Sequence, residues 1–93
     1  MSKVILEGYL LVSELDLEAV LNELPIHINL TRKESGCLRF IVEQDAVNNN
    51  RFNVYEEFSS RETFNEHQDR VRGSKWGQVS SGAERYYQIF ETN

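Results

Sequence analysis

Three ionisable side chains interrupt apolar patterns in this chain, and they are the first places to look for chemistry. His67 lies three residues after Phe64 and four before Val71, so all three fall on one face of any helix that contains them. An imidazole there is either a packed ring bonded to a carbonyl or a pocket base, since it titrates near neutral pH. Glu56 shares the parity of Val54 and Phe58 on a period-two segment. A carboxyl among such neighbours needs a partner, with Arg39 or Arg51 the obvious ones, or it lines a pocket with its proton held more tightly than usual. His27 follows the stripe of Leu17, Val20 and Leu24, where it caps the helix, packs at a polar rim or enters a site. Trp76 comes just after Gly73 and either plugs the core or covers a cavity, and its indole N–H needs a partner when buried. Cys37 reads as a small buried hydrophobe, and Tyr9, Tyr55, Tyr86 and Tyr87 as ordinary strand residues. No glycine-rich phosphate loop, His-Glu-x-x-His, Cys-x-x-Cys or Gly-x-Ser-x-Gly occurs. Two histidines and scattered carboxylates suggest no metal site. Any chemistry has to come from polar groups set into apolar faces.

The elements that would hold these groups are legible from periodicity. Val4 to Val12 is apolar on both parities apart from Glu7, as a strand covered on both faces would be. Ser13 and Asp16 offer N-cap oxygens to a helix whose stripe is Leu17, Val20, Leu21, Leu24, Ile28 and Thr31. Pro25 falls within it and predicts a kink or a split. Ser35-Gly36 is the expected end, with Gly36 in a left-handed conformation. Cys37 to Gln44 reads as a strand with Leu38, Phe40 and Val42 on one side and Arg39 and Glu43 on the other. The Asn-rich run 45–50 makes a hairpin to a partner strand, Phe52 to Phe58. Ser59 or Ser60 caps a second helix carrying Phe64, His67 and Val71. Gly73 interrupts it, Ser74 restarts a short helix through Trp76 and Val79, Gly82 ends that, and Glu84 to Glu91 is the last strand. The order β-α-β-β-α-β predicts an α+β, ferredoxin-like antiparallel sheet with both helices on one face. The other face is partly apolar as well, which favours sheet-to-sheet pairing of two copies.

Ninety-three residues predict one domain spanning 1–93, with a core small enough that dimerisation would help. A formal charge of −5 argues against nucleic acid or an anionic membrane as partner. Arg61, Arg70, Arg72 and Lys75 nevertheless cluster locally, as a solvated helix face or an entrance for an anionic substrate. A lone cysteine excludes an intrachain disulfide. Glu7 interrupts any signal-peptide core at the start, and no apolar run approaches the ~20 residues of a membrane span. A cytoplasmic protein is the expectation.

The run Leu30-Thr31-Arg32-Lys33-Glu34-Ser35-Gly36-Cys37-Leu38-Arg39-Phe40 resembles the helix-to-strand stretch of antibiotic biosynthesis monooxygenase domains. So does Arg51-Phe52-Asn53-Val54-Tyr55-Glu56-Glu57-Phe58, followed by Phe64 and His67. The segment from His67 through Arg70, Ser74, Trp76 and Gly77 is similar to a quinol monooxygenase-like branch. Ser35 and Asn50 stand where that pattern commonly has proline. The haem-degrading branch has a helix Trp and a later His; His67 occupies the helix position here and no histidine follows it, which argues against haem degradation. The resemblance implies a dimeric α+β barrel that oxidises a small aromatic phenol or quinol with O₂ and no cofactor. In that reading His67 and Glu56 are the catalytic pair, and His27, Phe40, Trp76 and Arg72 bind substrate. Two other readings stay open. One is isomerisation of a phosphorylated autoinducer-like sugar held by Arg70, Arg72 and Lys75. The other is a non-catalytic dimeric pocket for an aromatic metabolite.

Overall fold

A computed structural model describes residues 2–92; Met1 and Asn93, the two ends of the expected 1–93 domain, lie outside them. The elements run β1 (Lys3–Leu11), α1 (Glu14–Arg32), β2 (Cys37–Gln44), β3 (Arg51–Phe58), α2 (Arg61–Arg72), α3 (Lys75–Val79) and β4 (Glu84–Thr92). The four strands form one antiparallel sheet in the order β2-β3-β1-β4. This is the expected α+β, ferredoxin-like arrangement.

Side-chain alternation decides which face the helices cover. On β3, Phe52, Val54, Glu56 and Phe58 are all buried while the residues between them are only half-buried. Val4, Leu6 and Leu10 continue that face on β1, and Phe40 and Val42 on β2. Val20 and Leu24 of α1, Phe64 of α2 and Trp76 of α3 close over it to complete the core. Removing these side chains from water is the main stabilising contribution, at roughly 1.5–3 kcal/mol for each large apolar group.

Four local expectations are corrected. Pro25 does not split α1, which runs unbroken for 19 residues. Its buried line of Val20, Leu24, His27 and Thr31 brackets the proline, so packing on both sides outweighs one missing N–H. Leu21, placed on that stripe from sequence, is exposed. Leu38 is exposed too, because a bulge between Cys37 and Arg39 inserts one extra residue and resets the parity of β2.

Gly36 is the fourth. Gly8 alone among the described residues has positive φ, so the turn after α1 does not use a left-handed glycine. Gly36 is needed for closeness instead: a Cβ there would stand 2.2 Å from Cβ of Thr63 in α2. Its carbonyl accepts from Ser59 N–H at 2.8 Å, which ties the α1–β2 turn to the start of α2. Gly8, at φ 149°, lets β1 and β4 approach so tightly that a Cβ would meet the Tyr86 carbonyl oxygen at 2.0 Å.

The second helix starts as expected. Ser60 accepts from Thr63 N–H at 3.1 Å, and Thr63 Oγ1 accepts from Ser60 N–H at 3.2 Å. Ser74 likewise caps α3 by accepting from Gly77 N–H. These caps set the rotation of α2 and α3, and with it the direction of His67 and Trp76.

Candidate active site

The helix-to-sheet interface contains a cavity of about 180 Å³ where three helices meet the sheet. His27 from α1, His67 from α2 and Trp76 from α3 form its roof, with Leu6 and Glu56 as the floor. Arg85 and Tyr87 of β4 close one side. The indole of Trp76 lies flat on the His27 ring, with centroids 4.7 Å apart and planes 2° from parallel. Phe58 packs on His67 at 4.8 Å, and Phe40 meets His27 edge-on at 5.3 Å and His67 at 5.8 Å. Phe40 therefore stands behind the two imidazoles and supports them without lining the cavity.

Within this aromatic shell the polar groups are held in particular protonation states. Neither arginine suggested from sequence pairs with Glu56: Arg39 and Arg51 are on the opposite face of the sheet, over Tyr55 and Tyr9. Burial, and then the charge of Glu34, push Glu56 up to about 8, so it is a neutral carboxylic acid at pH 7. Its Oε1 has no hydrogen-bond partner and faces His67 Nε2 at 3.9 Å. Burial, with the His67 and Arg70 charges, drives His27 down to about 3, and its buried Nδ1 is unpartnered. For His67, burial lowers the pKa against an opposing pull from Glu34. All three groups are thus uncharged near neutral pH. Tyr87, pushed up to about 12 by burial, keeps its hydroxyl proton.

The structure brings His67, Glu56, His27 and Trp76 together and puts Phe40 behind them. Arg72 is on the outside. It pairs with Asp69 on the α2 surface and lines a shallow recess that shares Gln68, Val71 and Arg85 with the cavity. Arg70 faces a separate recess, tied to Glu34 at 2.5 Å and to Thr31 at 3.0 Å, away from the groove of Arg72 and Lys75. The three basic residues expected to gather on a phosphate do not share one site.

Sequence reasoning missed Glu34, Arg85 and Tyr87. Glu34 bonds His67 Nδ1 at 2.8 Å. Extending the line of His27 and Thr31 by three more positions arrives at it, which is the signal that could have found it. The β4 residues carry no such signal, because the parity of that strand depends on pairing with β1. Among the described residues, no group of three His, Cys, Asp or Glu side chains converges as metal ligands would.

Residues 4–74 match the family model of antibiotic biosynthesis monooxygenase. The chain belongs to that family. Solved structures share its fold over nearly the whole length. A conserved Bacteroides thetaiotaomicron protein of unknown function, described as a possible oxidoreductase, is 19% identical with a TM-score of 0.76, and the match covers 98% of each chain. A candidate antibiotic biosynthesis monooxygenase from Nitrosomonas europaea is 20% identical with a TM-score of 0.75, covering 100% of this chain and 97% of that one. A Pseudomonas aeruginosa protein is 20% identical at 0.74, covering 99% and 93%. No curated protein matches the chain. As in other folds that host many functions, what this antibiotic biosynthesis monooxygenase domain does is decided by the cavity's side chains.

Proposed function

We propose that the protein is a cofactor-independent monooxygenase that oxidises a small phenol or quinol with O₂. The observation that carries this reading is the 3.9 Å gap between His67 Nε2 and the unpartnered Glu56 Oε1. One oxygen atom at about 2.8 Å from each can bridge them. A phenol hydroxyl placed there donates its proton to Nε2 and accepts a hydrogen bond from the protonated Glu56. Glu56 then serves as a neutral donor to the oxyanion, a task for which a buried carboxylic acid is well suited. Arg85 at the side of the cavity adds positive charge that favours the phenolate. Removing water raises the energy of the anion's electrons and its readiness to reduce O₂.

The reaction balances without a further oxidant. The phenol O–H breaks as Nε2–H forms, and the phenolate ring carbon bonds to O₂. Loss of the ring C–H proton with cleavage of the O–O bond then leaves a quinone carbonyl and water. The substrate loses four electrons and O₂ gains four, with one oxygen atom in each product. His67 returns its proton to the departing oxygen.

Cavity size favours a single ring: a void of ~150 Å³ holds benzene, and this one is about 180 Å³. Oxygen uptake should be measured with mono-, bi- and tricyclic phenols, and the products analysed for a quinone oxygen derived from ¹⁸O₂. Monocyclic hydroquinones should turn over fastest; a protein that incorporates no label into any of them is not this enzyme. We propose further that it works as a cytoplasmic homodimer paired through the open sheet face. Ile5, Tyr9, Leu11, Tyr86 and Phe90 leave apolar surface there that no helix of the same chain covers. Light scattering should give about twice 10.9 kDa, and a monomer at micromolar concentration would refute the pairing.

A further inference from the structure

We infer that Glu34 is the positioning residue that makes His67 a base, by holding the ring proton on Nδ1 and leaving the Nε2 lone pair in the cavity. The inference rests on the monooxygenase reading for its chemistry but stands on its own geometry. His67 lines two separate spaces, the inner cavity and an outer recess of about 280 Å³ that also includes Glu34, Glu66 and Arg70. The imidazole thus forms a partition between them, with Nδ1 on the Glu34 side at 2.8 Å and Nε2 on the Glu56 side. A carboxylate can only accept, so Nδ1 must carry the hydrogen and Nε2 is bare in the neutral ring.

Glu34 is itself fixed. Its second oxygen accepts from Arg70 Nε at 2.5 Å, and Arg70 Nη2 donates to Thr31 Oγ1 at 3.0 Å. Thr31 is fully buried on α1. The turn bearing Glu34 is closed by Glu34 N–H to the Thr31 carbonyl at 3.0 Å and Cys37 N–H to the Glu34 carbonyl at 3.1 Å. Gly36 then lets this turn lie against Thr63, one helical turn before His67. A side chain so constrained loses little conformational freedom on orienting its partner. When Nε2 takes the phenol proton, the imidazolium lies between the Glu34 carboxylate and the new phenolate. Glu34 stabilises that ion pair without taking the proton.

The charged and titratable groups around the ring set what a measurement should show. Glu34 raises the affinity of His67 for its proton, Arg70 lowers it, Glu56 and His27 face it uncharged, and Arg85 lines the same cavity. Nitrogen-15 NMR of histidine-labelled wild-type protein tests the tautomer directly, with no need for turnover. A neutral His67 with its proton on Nδ1 is expected; a proton on Nε2 overturns the inference. Glu34→Gln keeps an acceptor but removes the charge. It should lower the His67 pKa by about one unit or more, move the acid limb of the pH–rate profile by the same amount, and reduce kcat ~10-fold or more with little change in KM. Unaltered His67 titration in a folded Glu34→Gln protein also overturns it. Where the wild type oxidises no phenol but shows the Nδ1–H tautomer and the Gln-induced shift, the monooxygenase reading fails while the role of Glu34 in orienting His67 stands.

Discussion

The two faces of the sheet treat charge in opposite ways. On the open face Lys3 pairs with Glu57, Arg51 lies over Tyr9 and contacts Asp45 and Asn53, and Tyr55 donates to Glu57. These groups find their partners at the surface of the chain, within reach of water. On the helix face, Glu56 Oε1 and His27 Nδ1 are buried with none. An unpartnered buried polar group costs on the order of 1–3 kcal/mol. A chain that satisfies one face and leaves the other unsatisfied holds that cost where a ligand can relieve it. Two such atoms opposite a histidine mark the site more firmly than the identity of any one residue.

The sharpest way to break the contrast is to remove the base. His67→Ala should lower oxygen uptake per folded protein by ~10²–10⁴-fold, the usual worth of a positioned acid or base. A packed histidine with no catalytic part would lower the melting temperature and leave that ratio unchanged.

Next in size is the pH profile. Activity needs His67 without its proton and Glu56 with its own. The rate should therefore rise through a depressed imidazole pKa and fall above about 8, where Glu56 ionises. Glu56→Gln still offers an N–H donor, so it should retain within roughly tenfold of wild-type activity and lose the alkaline limb. A persistent fall near that pH in the variant would exclude Glu56 as its source.

Stability should carry the same signature with its own signs. Glu56 binds its proton more tightly folded than at its ordinary 4.5, so its contribution is lost as pH rises toward about 8. His27 binds its proton less tightly than at its ordinary 6.5, so its contribution is lost as pH falls toward about 3. The two slopes oppose each other between pH 4.5 and 6.5, giving a broad maximum there with a decline on either side. Glu56→Gln should remove the decline above pH 6.5 and raise the melting temperature at pH 8 by on the order of 10 °C. Differential scanning calorimetry across pH decides it; a flat wild-type curve from pH 5 to 8 would mean the carboxyl is solvated.

The smallest effect belongs to the open face. Lys3→Ala removes an ion pair whose lysine is half exposed, and should change stability by less than about 1 kcal/mol with activity intact. A larger loss would place this ion pair inside the proposed sheet-to-sheet interface instead of at its rim.

Sequence periodicity revealed most of this architecture. The alternation Phe52-Val54-Glu56-Phe58 and the spacing of Phe64, His67 and Val71 grouped two ionisable side chains with apolar neighbours, while which parity of each strand faces the helices is settled by the fold. Register was beyond it. Leu38 was misplaced because a bulge obeys pairing with β3, and Arg85 and Tyr87 were missed because the face of β4 is set by β1. Glu34 was hidden for another reason: an acidic residue in a turn reads as solvated until the turn is known to fold against α2.

The stacking of Trp76 on His27 makes the cavity optically addressable. Trp76 is the chain's one tryptophan, so all indole emission originates at the roof of the site. Its quantum yield should drop when a ring enters beneath it and when acid protonates His27, two events separable by titrating ligand at fixed pH. A single fluorescence channel can then follow occupancy in real time, with no label and no turnover, even for compounds that O₂ never attacks.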